Sequence, residues 1–424
     1  MMHLKATIFG CQQSVRNRRR IWTQGVARRR RAAGSSVRLL STRLVGSFAM
    51  AMALLIAAVP GDVFAQQDPS LPSAGPSPTS DTVKEGDAPA PSAGPSQGSD
   101  ADHGRLRLRM QTAFNPGISV LGEAARQFVT AVKAMSAGTV SVKLLEAGAK
   151  APTSELLEAV LRGDVDAAFT SPSYAATKVP ALQVFASLPF GPTPEEYVAW
   201  MIGGEGGRFH RELYEKLGVH AVMCGVAGSE AGGWFRNEMR SVADLKGLRV
   251  RYAGLAGEVL ARFGAEIVTL SPGEVFYKLQ QGKIDAAEFS MPSVDRALGF
   301  DKLSLIYYFP GWHQPASLVD FYMRKDKWDE LPPERRALIE TACRANVTWM
   351  LARAPVEQAR AMEYFRKQGV TIRVWPASVM EAFRETSSDV LREQAEKDPE
   401  FRLVLDDLRQ FLDGPRAWKR LVRP

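Results

Sequence analysis

The chain has 424 residues and a formal charge of +8, with 54 Lys/Arg against 46 Asp/Glu. Residues 1–65 hold 11 of those cations and one acid, so the remainder carries 43 basic against 45 acidic residues; the basic balance belongs to the N-terminal segment and does not indicate a nucleic-acid partner. No Cys/His zinc spacing, P-loop or zipper repeat appears, and the length suits two or three domains.

Arg28 to Arg31 and Arg43 precede an apolar run from Leu44 to Val59. Pro60-Gly61 breaks the run, and Val63 and Ala65 place small residues at the −3 and −1 positions of a cleavage site. This is the pattern of a secretory signal peptide over residues 1–65. An uncleaved anchor is the alternative, but the run is shorter than the ~20 residues a membrane span needs. Residues 66–104 are rich in Pro, Ser, Gly and Asp, and the motif Pro72-Ser73-Ala74-Gly75-Pro76-Ser77 recurs at Pro91 to Ser96. Such a stretch cannot bury enough apolar surface to offset its ordering entropy, and it reads as a disordered spacer.

Residues 105–225 read as a first lobe. Leu106, Leu108 and Met110 alternate with polar residues as in a half-buried strand, and Leu121 to Met135 has helical spacing. A strand at Val140 to Leu144, a helix from Ser154 to Leu161 and a strand at Asp166 to Phe169 follow. This β-α-β-α-β alternation predicts an α/β, doubly wound sheet, whose ligands sit beyond the strand C-termini. Tyr174 stands at such an end, where its hydroxyl can reach a ligand oxygen; a loop or core role is the alternative. Helical segments around Glu195 to Met201 and Arg208 to Leu217 lead to a strand at Val219 to Gly225.

Residues 226–316 repeat the α/β pattern as a second lobe. Gly232-Gly233 permits a close backbone approach, Trp234-Phe235 and Arg249 to Tyr252 read as strands, and Ile284 to Phe289 is another, with Glu288 near its end. Residues 317–424 read as a return to the first lobe through a strand at Ser317 to Met323. A long helix follows, kinked or broken at Pro355, then a strand at Val370 to Val374 and two amphipathic helices. Two lobes with several crossings predict hinge closure over a cleft. Cys224 and Cys343 have no close spacing; buried thiols are the ordinary reading and a disulfide the alternative. The histidines are isolated, and His313 reads as a solvent-facing loop residue.

Four segments, taken in order, carry a resemblance: Glu230-Ala231-Gly232-Gly233-Trp234-Phe235-Arg236, Asp244-Leu245-Lys246-Gly247-Leu248-Arg249-Val250-Arg251, Gly254-Leu255-Ala256-Gly257-Glu258 and Ile284-Asp285-Ala286-Ala287-Glu288-Phe289. With Tyr307-Tyr308-Phe309-Pro310-Gly311-Trp312 they resemble the DctP-type solute-binding proteins of TRAP transporters, in the branch that binds 2-oxo and 2-hydroxy acids with a metal ion. The resemblance covers about residues 105–415. It implies a two-lobed periplasmic binding protein fold with a hinge and C-terminal helices, and it places Arg251 where a guanidinium clamps the ligand carboxylate. It also implies a metal ion, Ca²⁺ or Na⁺, held by Glu230, Glu288 and the Phe289 carbonyl. A Gln is usual at the position of Glu230, and the Asn-Thr that usually precedes it is replaced by Val226-Ala227. Two carboxylates repel unless a cation or proton lies between them, which favours a divalent ion here. Trp234 and Trp312 are expected to wall the pocket, with core packing as the alternative, and Arg249 to serve structure. The implied partners are a small carboxylate and the TRAP membrane permease, and the C-terminal helices resemble those that form homodimers in part of the family.

Two other functions compete. Paired carboxylates also suit acid–base hydrolysis, but no Gly-x-Ser-x-Gly, His-Glu-x-x-His or Gly-x-Gly-x-x-Gly motif accompanies them. A periplasmic sensor subunit presenting the same ligand to a receptor is the other reading.

Overall fold

The computed structural model describes residues 104–422 apart from 253 and 304. The expected signal peptide, and all but the last residue of the expected spacer, lie outside the described residues.

The first lobe opens with β1 (Leu106–Thr112), α1 (Leu121–Met135), β2 (Val140–Leu145), α2 (Leu156–Arg162) and β3 (Ala167–Thr170). β1 pairs parallel with both β2 and β3. Leu108 and Met110 are buried while Arg107 and Arg109 are exposed, so the alternation in sequence is the alternation of faces. Ala124, Phe128 and Val132 form the buried stripe of α1. Helices α3 (Gln183–Ala186), α4 (Pro194–Gly203) and α5 (Gly206–Glu215) lead to β4 (Val219–Ala227). At the start of α4, the Thr193 hydroxyl accepts from the Glu196 N–H and the Glu196 carboxylate accepts from the Thr193 N–H, a reciprocal cap.

The second lobe comprises β5 (Gly233–Phe235), β6 (Arg249–Arg251), α6 (Gly254–Arg262), β7 (Glu266–Ile267), α7 (Pro272–Gln280), β8 (Ala286–Ala287), α8 (Pro292–Leu298) and β9 (Ile306–Phe309). The chain then returns through β10 (Ser317–Arg324), which inserts between β3 and β4, antiparallel to both. After α9 (Lys325–Asp329), the long α10 (Pro333–Lys367) leads to β11 (Thr371–Val374), α11 (Ala377–Lys397) and α12 (Pro399–Val422). The sheets have strand orders β2-β1-β3-β10-β4 and β11-β9-β5-β8-β6-β7. Each lobe is α/β, and residues 228–232 and 310–316 cross between them.

Three expectations are corrected or narrowed. The return does not stay in the first lobe, because β11 pairs parallel with β9 and extends the second sheet. Pro355 lies inside α10 without ending it, so of the kink and the break only the break is overturned. A proline deprives a helix of one N–H···O bond, and α10 is gripped on both sides of it, by Met350 and Ala354 in one core and Phe365 in another. Cys224 and Cys343 are not free thiols; they are joined in a disulfide. The apolar face of α12, with Phe401, Val404, Leu405, Leu408 and Leu412 buried, packs on α3, α4, α5 and α11 of the same chain. That face is occupied internally, while Leu403, Trp418, Leu421 and Val422 of the same helix remain exposed.

A non-reducing peptide map of purified protein is expected to recover the peptides containing Cys224 and Cys343 as one linked species. Alkylation of both thiols without prior reduction would contradict the pairing.

Candidate functional site

The site is built from two second-lobe strands and the two crossing segments. In β6, Val250 is buried on one face while Arg249 and Arg251 share the other. The two arginines have different tasks. Arg249 grips Asp285 with both arms, Nε to Oδ2 at 3.0 Å and Nη2 to Oδ1 at 2.9 Å, and Nη2 also donates to the Gly282 carbonyl at 2.8 Å. It pins the turn before β8. Arg251 is largely covered, and its Nη1 donates to the Glu288 carbonyl at 2.6 Å and to Glu288 Oε2 at 3.0 Å. Among the described residues, Nε and Nη2 of Arg251 donate to no protein acceptor, so the outer edge of the fork is free to receive a carboxylate bidentately.

Glu230 lies on the crossing 228–232, and glycines bring it alongside Glu288. The Gly311 N–H donates to the Glu230 carbonyl at 3.1 Å, and a Cβ at Gly311 would lie 2.2 Å from that oxygen. Gly233 has φ +108°, and a Cβ there would lie 2.9 Å from the Ala287 carbonyl. Only a backbone without side chains at 233 and 311 can sit this close to its neighbours.

His313, from the crossing 310–316, completes the cluster. Its Nε2 is 3.2 Å from Glu230 Oε2 and 3.6 Å from Glu288 Oε1. Ser290 Oγ donates to Glu230 Oε1 at 3.2 Å. Glu230, Glu288 and His313 are all buried, and one donor atom from each lies within 4.8 Å of the others. This corrects the expectation of a solvent-facing His313. The only sequence signal was its place at the end of the aromatic run Tyr307 to Trp312, a context that is buried far more often than a polar loop.

Burial and then the neighbouring Glu288 charge push the Glu230 carboxyl up to about 7. Burial pushes Glu288 the same way, but the hydrogen bond and charge of His313, with Arg251, outweigh it and leave Glu288 below the usual carboxylate range. Burial alone would lower His313; the two glutamates overcome it and raise the imidazole to about 9. The cluster is thus an arrangement of opposed charges shielded from water.

The remaining candidates fall into two groups. Phe289 borders the cluster, its ring centroid 5.7 Å from the Arg251 guanidinium. Trp312 is buried between Phe383 at 4.5 Å and Tyr252 at 6.1 Å, and its indole N–H has no protein acceptor among the described residues. Tyr174 follows β3 on the first lobe and remains 36% exposed. Burial raises its phenol, and the Arg251 charge partly opposes that rise. Trp234 does not belong here, which corrects the expectation that it walls the pocket. It stacks on Tyr307 at 3.8 Å, and its Nε1 and the Tyr307 hydroxyl both donate to Asp295 Oδ2 at 2.8 Å, inside the second-lobe core. Burial holds the Asp295 carboxyl well above the usual range. Tyr252 was not foreseen; its hydroxyl donates to the Gly232 carbonyl at 2.5 Å and fixes the Gly-Gly turn. Two surface cavities of about 190 and 260 Å³ lie elsewhere, and neither is lined by Arg251, Glu230, Glu288 or His313. Charge and donor geometry, rather than empty volume, mark the site.

The family model for bacterial extracellular solute-binding protein, family 7, matches residues 113–398. A monocarboxylate 2-oxoacid-binding periplasmic protein of Nostoc sp. (strain PCC 7120) is 32% identical over 317 residues, covering 74% of this chain and 86% of that protein. The fold is similar to a TRAP transporter solute-binding protein of Bordetella bronchiseptica RB50 solved with calcium and picolinate; the TM-score is 0.72 at 30% identity, over 75% of this chain and 95% of that one. It is also similar to a TRAP periplasmic solute-binding protein of Pseudoalteromonas atlantica T6c solved with sodium and pyruvate. There the TM-score is 0.71 at 29% identity, over 75% of this chain and 97% of the other.

The charge cluster makes stability depend on pH. His313 binds its proton more tightly in the folded state, at about 9, than at its ordinary 6.5. Its contribution is complete below about pH 6.5 and is lost as pH rises through 9. Glu230, raised from 4.5 to about 7, also lowers stability as pH rises across that interval, because the unfolded chain releases its proton first. The melting temperature of ligand-free protein is therefore expected to fall from pH 5 to pH 9, and His313→Gln to flatten the part above pH 7. A wild-type curve that rises between pH 7 and 9 would remove His313 as the cluster's cation.

Proposed function

The chain belongs to bacterial extracellular solute-binding protein family 7, and we propose that it captures a small 2-oxo or 2-hydroxy acid together with a metal ion and delivers it to the membrane permease of a TRAP transporter. One observation carries the choice of ligand: a partly buried guanidinium with one free edge lies beside two buried carboxylates. The free edge of Arg251 suits a ligand carboxylate. Glu230, Glu288 and the Phe289 carbonyl offer the oxygen donors that Ca²⁺ or Na⁺ requires. Two carboxylates, where one would be balanced by a monovalent ion, favour the divalent choice. The 2-oxo or 2-hydroxy oxygen of the acid adds a further donor beside its carboxylate, so acid and ion share one site. Trp312 supplies apolar wall, and Tyr174 brings a hydroxyl from the first lobe when the lobes close.

Location follows the same reading. A disulfide such as Cys224–Cys343 persists in oxidising compartments, in keeping with export to the periplasm by the leader.

Arg251→Lys keeps the charge but loses the planar fork. Calorimetry with pyruvate and Ca²⁺ is expected to show a loss of roughly 2–5 kcal/mol in affinity with the circular dichroism spectrum unchanged; near-wild-type affinity would remove Arg251 from the site.

Ion and acid are expected to raise each other's affinity by the same factor. Glu230→Gln should shift the preference from Ca²⁺ toward Na⁺. Chelator-treated protein in sodium-free buffer that binds pyruvate as tightly as untreated protein would rule out the metal.

A further inference from the structure

We infer that Cys224 is the fixed pivot of the interlobe hinge, bolted in place by Cys343 and Asn346 of α10. The inference rests on the reading that the lobes close over a ligand, and goes beyond it by locating where the bend begins.

β4 and β10 are the strands through which the first sheet joins the crossings. β4 ends at Ala227, just before residues 228–232, and β10 starts at Ser317, just after residues 310–316. Their ladder slips at one place. Val319 faces Gly225 and Asp320 faces Met223, so Cys224 has no partner in β10. An unpaired bulge residue breaks the ladder and bends its strand. Left alone, it is the natural place for a hinge strand to flex.

Here the bulge is tied down twice. The Cys224 sulfur is bonded to Cys343, and its carbonyl accepts from Asn346 Nδ2 at 2.7 Å. Cys343 and Asn346 lie three residues apart on α10, hence on one helix face. The next turn of that face backs onto the strand as well: a Cβ at Gly225 would lie 2.3 Å from Met350 Sδ. Cys224, Cys343 and Asn346 are all buried.

The same helix continues into the second lobe. Gln358 Oε1 accepts from the Ser293 N–H at 2.8 Å, and its Nε2 donates to Ser293 Oγ at 3.0 Å. Phe365 enters the core against Tyr307 at 5.5 Å and Trp234 at 5.6 Å. A covalent bond thus joins a rod that serves both lobes to a hinge strand, three residues before that strand leaves the first sheet. Along the two strand crossings the bend falls within 225–232 and 310–316, the part of β4 before Cys224 stays with the first lobe, and α10, held by both lobes, flexes between Met350 and Gln358. A disulfide that acted only as a general cross-link would stabilise the whole domain without preference for this segment.

Hydrogen exchange on ligand-free protein separates the two. Wild type is compared with the double variant Cys224→Ala/Cys343→Ala and with Asn346→Leu, which keeps the disulfide. Exchange at 225–231 and 315–319 is expected to rise about tenfold in the double variant and about threefold in Asn346→Leu, with β1 and β2 unchanged. An equal rise across β1, β2 and the hinge, or no rise at the hinge, overturns the pivot. If the double variant does not fold, Asn346→Leu decides alone. The measurement needs no ligand. Calorimetry of wild type with pyruvate and Ca²⁺ tests the functional reading separately, so failure to bind acid leaves the exchange result standing.

Discussion

Two carboxylates share one buried space, and the organisation of the second lobe answers to that fact. Glu230 and Glu288 both reach the Nε2 of His313. Removing two like charges from water costs several kcal/mol per ion before their repulsion is counted. The cost is met by positive charge on two sides, His313 on one and Arg251 on the other, and by the Ser290 hydroxyl. Burial holds the nearby Asp295 carboxyl well above the usual range, which disfavours a further negative charge there. A site of this kind is stable only while its counter-charges are present, which is why it suits the reversible uptake of charged groups.

The fold delivers these residues by removing side chains rather than adding them. Gly233 and Gly311 leave room for the crossings to lie against the end of β8 and against each other. β8 itself spans only Ala286–Ala287, and the chain leaves the ladder at once with Glu288. Arg251 follows from strand register, since it pairs with Ala287, the residue before Glu288. Every charged group of the cluster comes from the second lobe or the crossings. The candidate from the first lobe, Tyr174, follows β3 and stays partly exposed.

Much of this was legible in the sequence. Strand alternation at Leu106 to Met110, the stripe of Leu121 to Met135 and the Gly-Gly pair each had a local cause, so each appeared where expected. Arg251, Glu230 and Glu288 are singled out by the resemblance, and the structure gathers them in one cluster; alternation puts Arg249 and Arg251 on one face, and it is the contact with Asp285 that gives Arg249 its structural task. What escaped were facts of long-range contact. His313 was taken for a loop residue because nothing within its own segment shows that Glu230, 83 residues away, lies against it. Trp234 reads as an apolar pocket wall with core packing as the alternative, and the core packing is what the structure shows: it stacks on Tyr307 and meets Asp295. The disulfide joins residues 119 apart, a separation over which spacing carries no signal. β11 joins the second sheet because α10 carries it there, continuing through a proline that locally argues for a kink or a break.

The crossings carry both the motion and the charge. Glu230 lies on one and His313 on the other, whereas Arg251 and Glu288 are fixed to second-lobe strands. Under the proposed closure, a bend within the crossings would change how Glu230 and His313 stand relative to Glu288. A group bound across Glu230 and Glu288 therefore has different contacts in the open and closed arrangements. That difference is the condition under which a ligand shifts a conformational equilibrium; equal contacts in both states would shift nothing, however tight the binding. On the proposed function, the residues that make the site electrostatically costly are thus the ones through which occupancy would act on the lobes, and recognition and closure would have one physical origin.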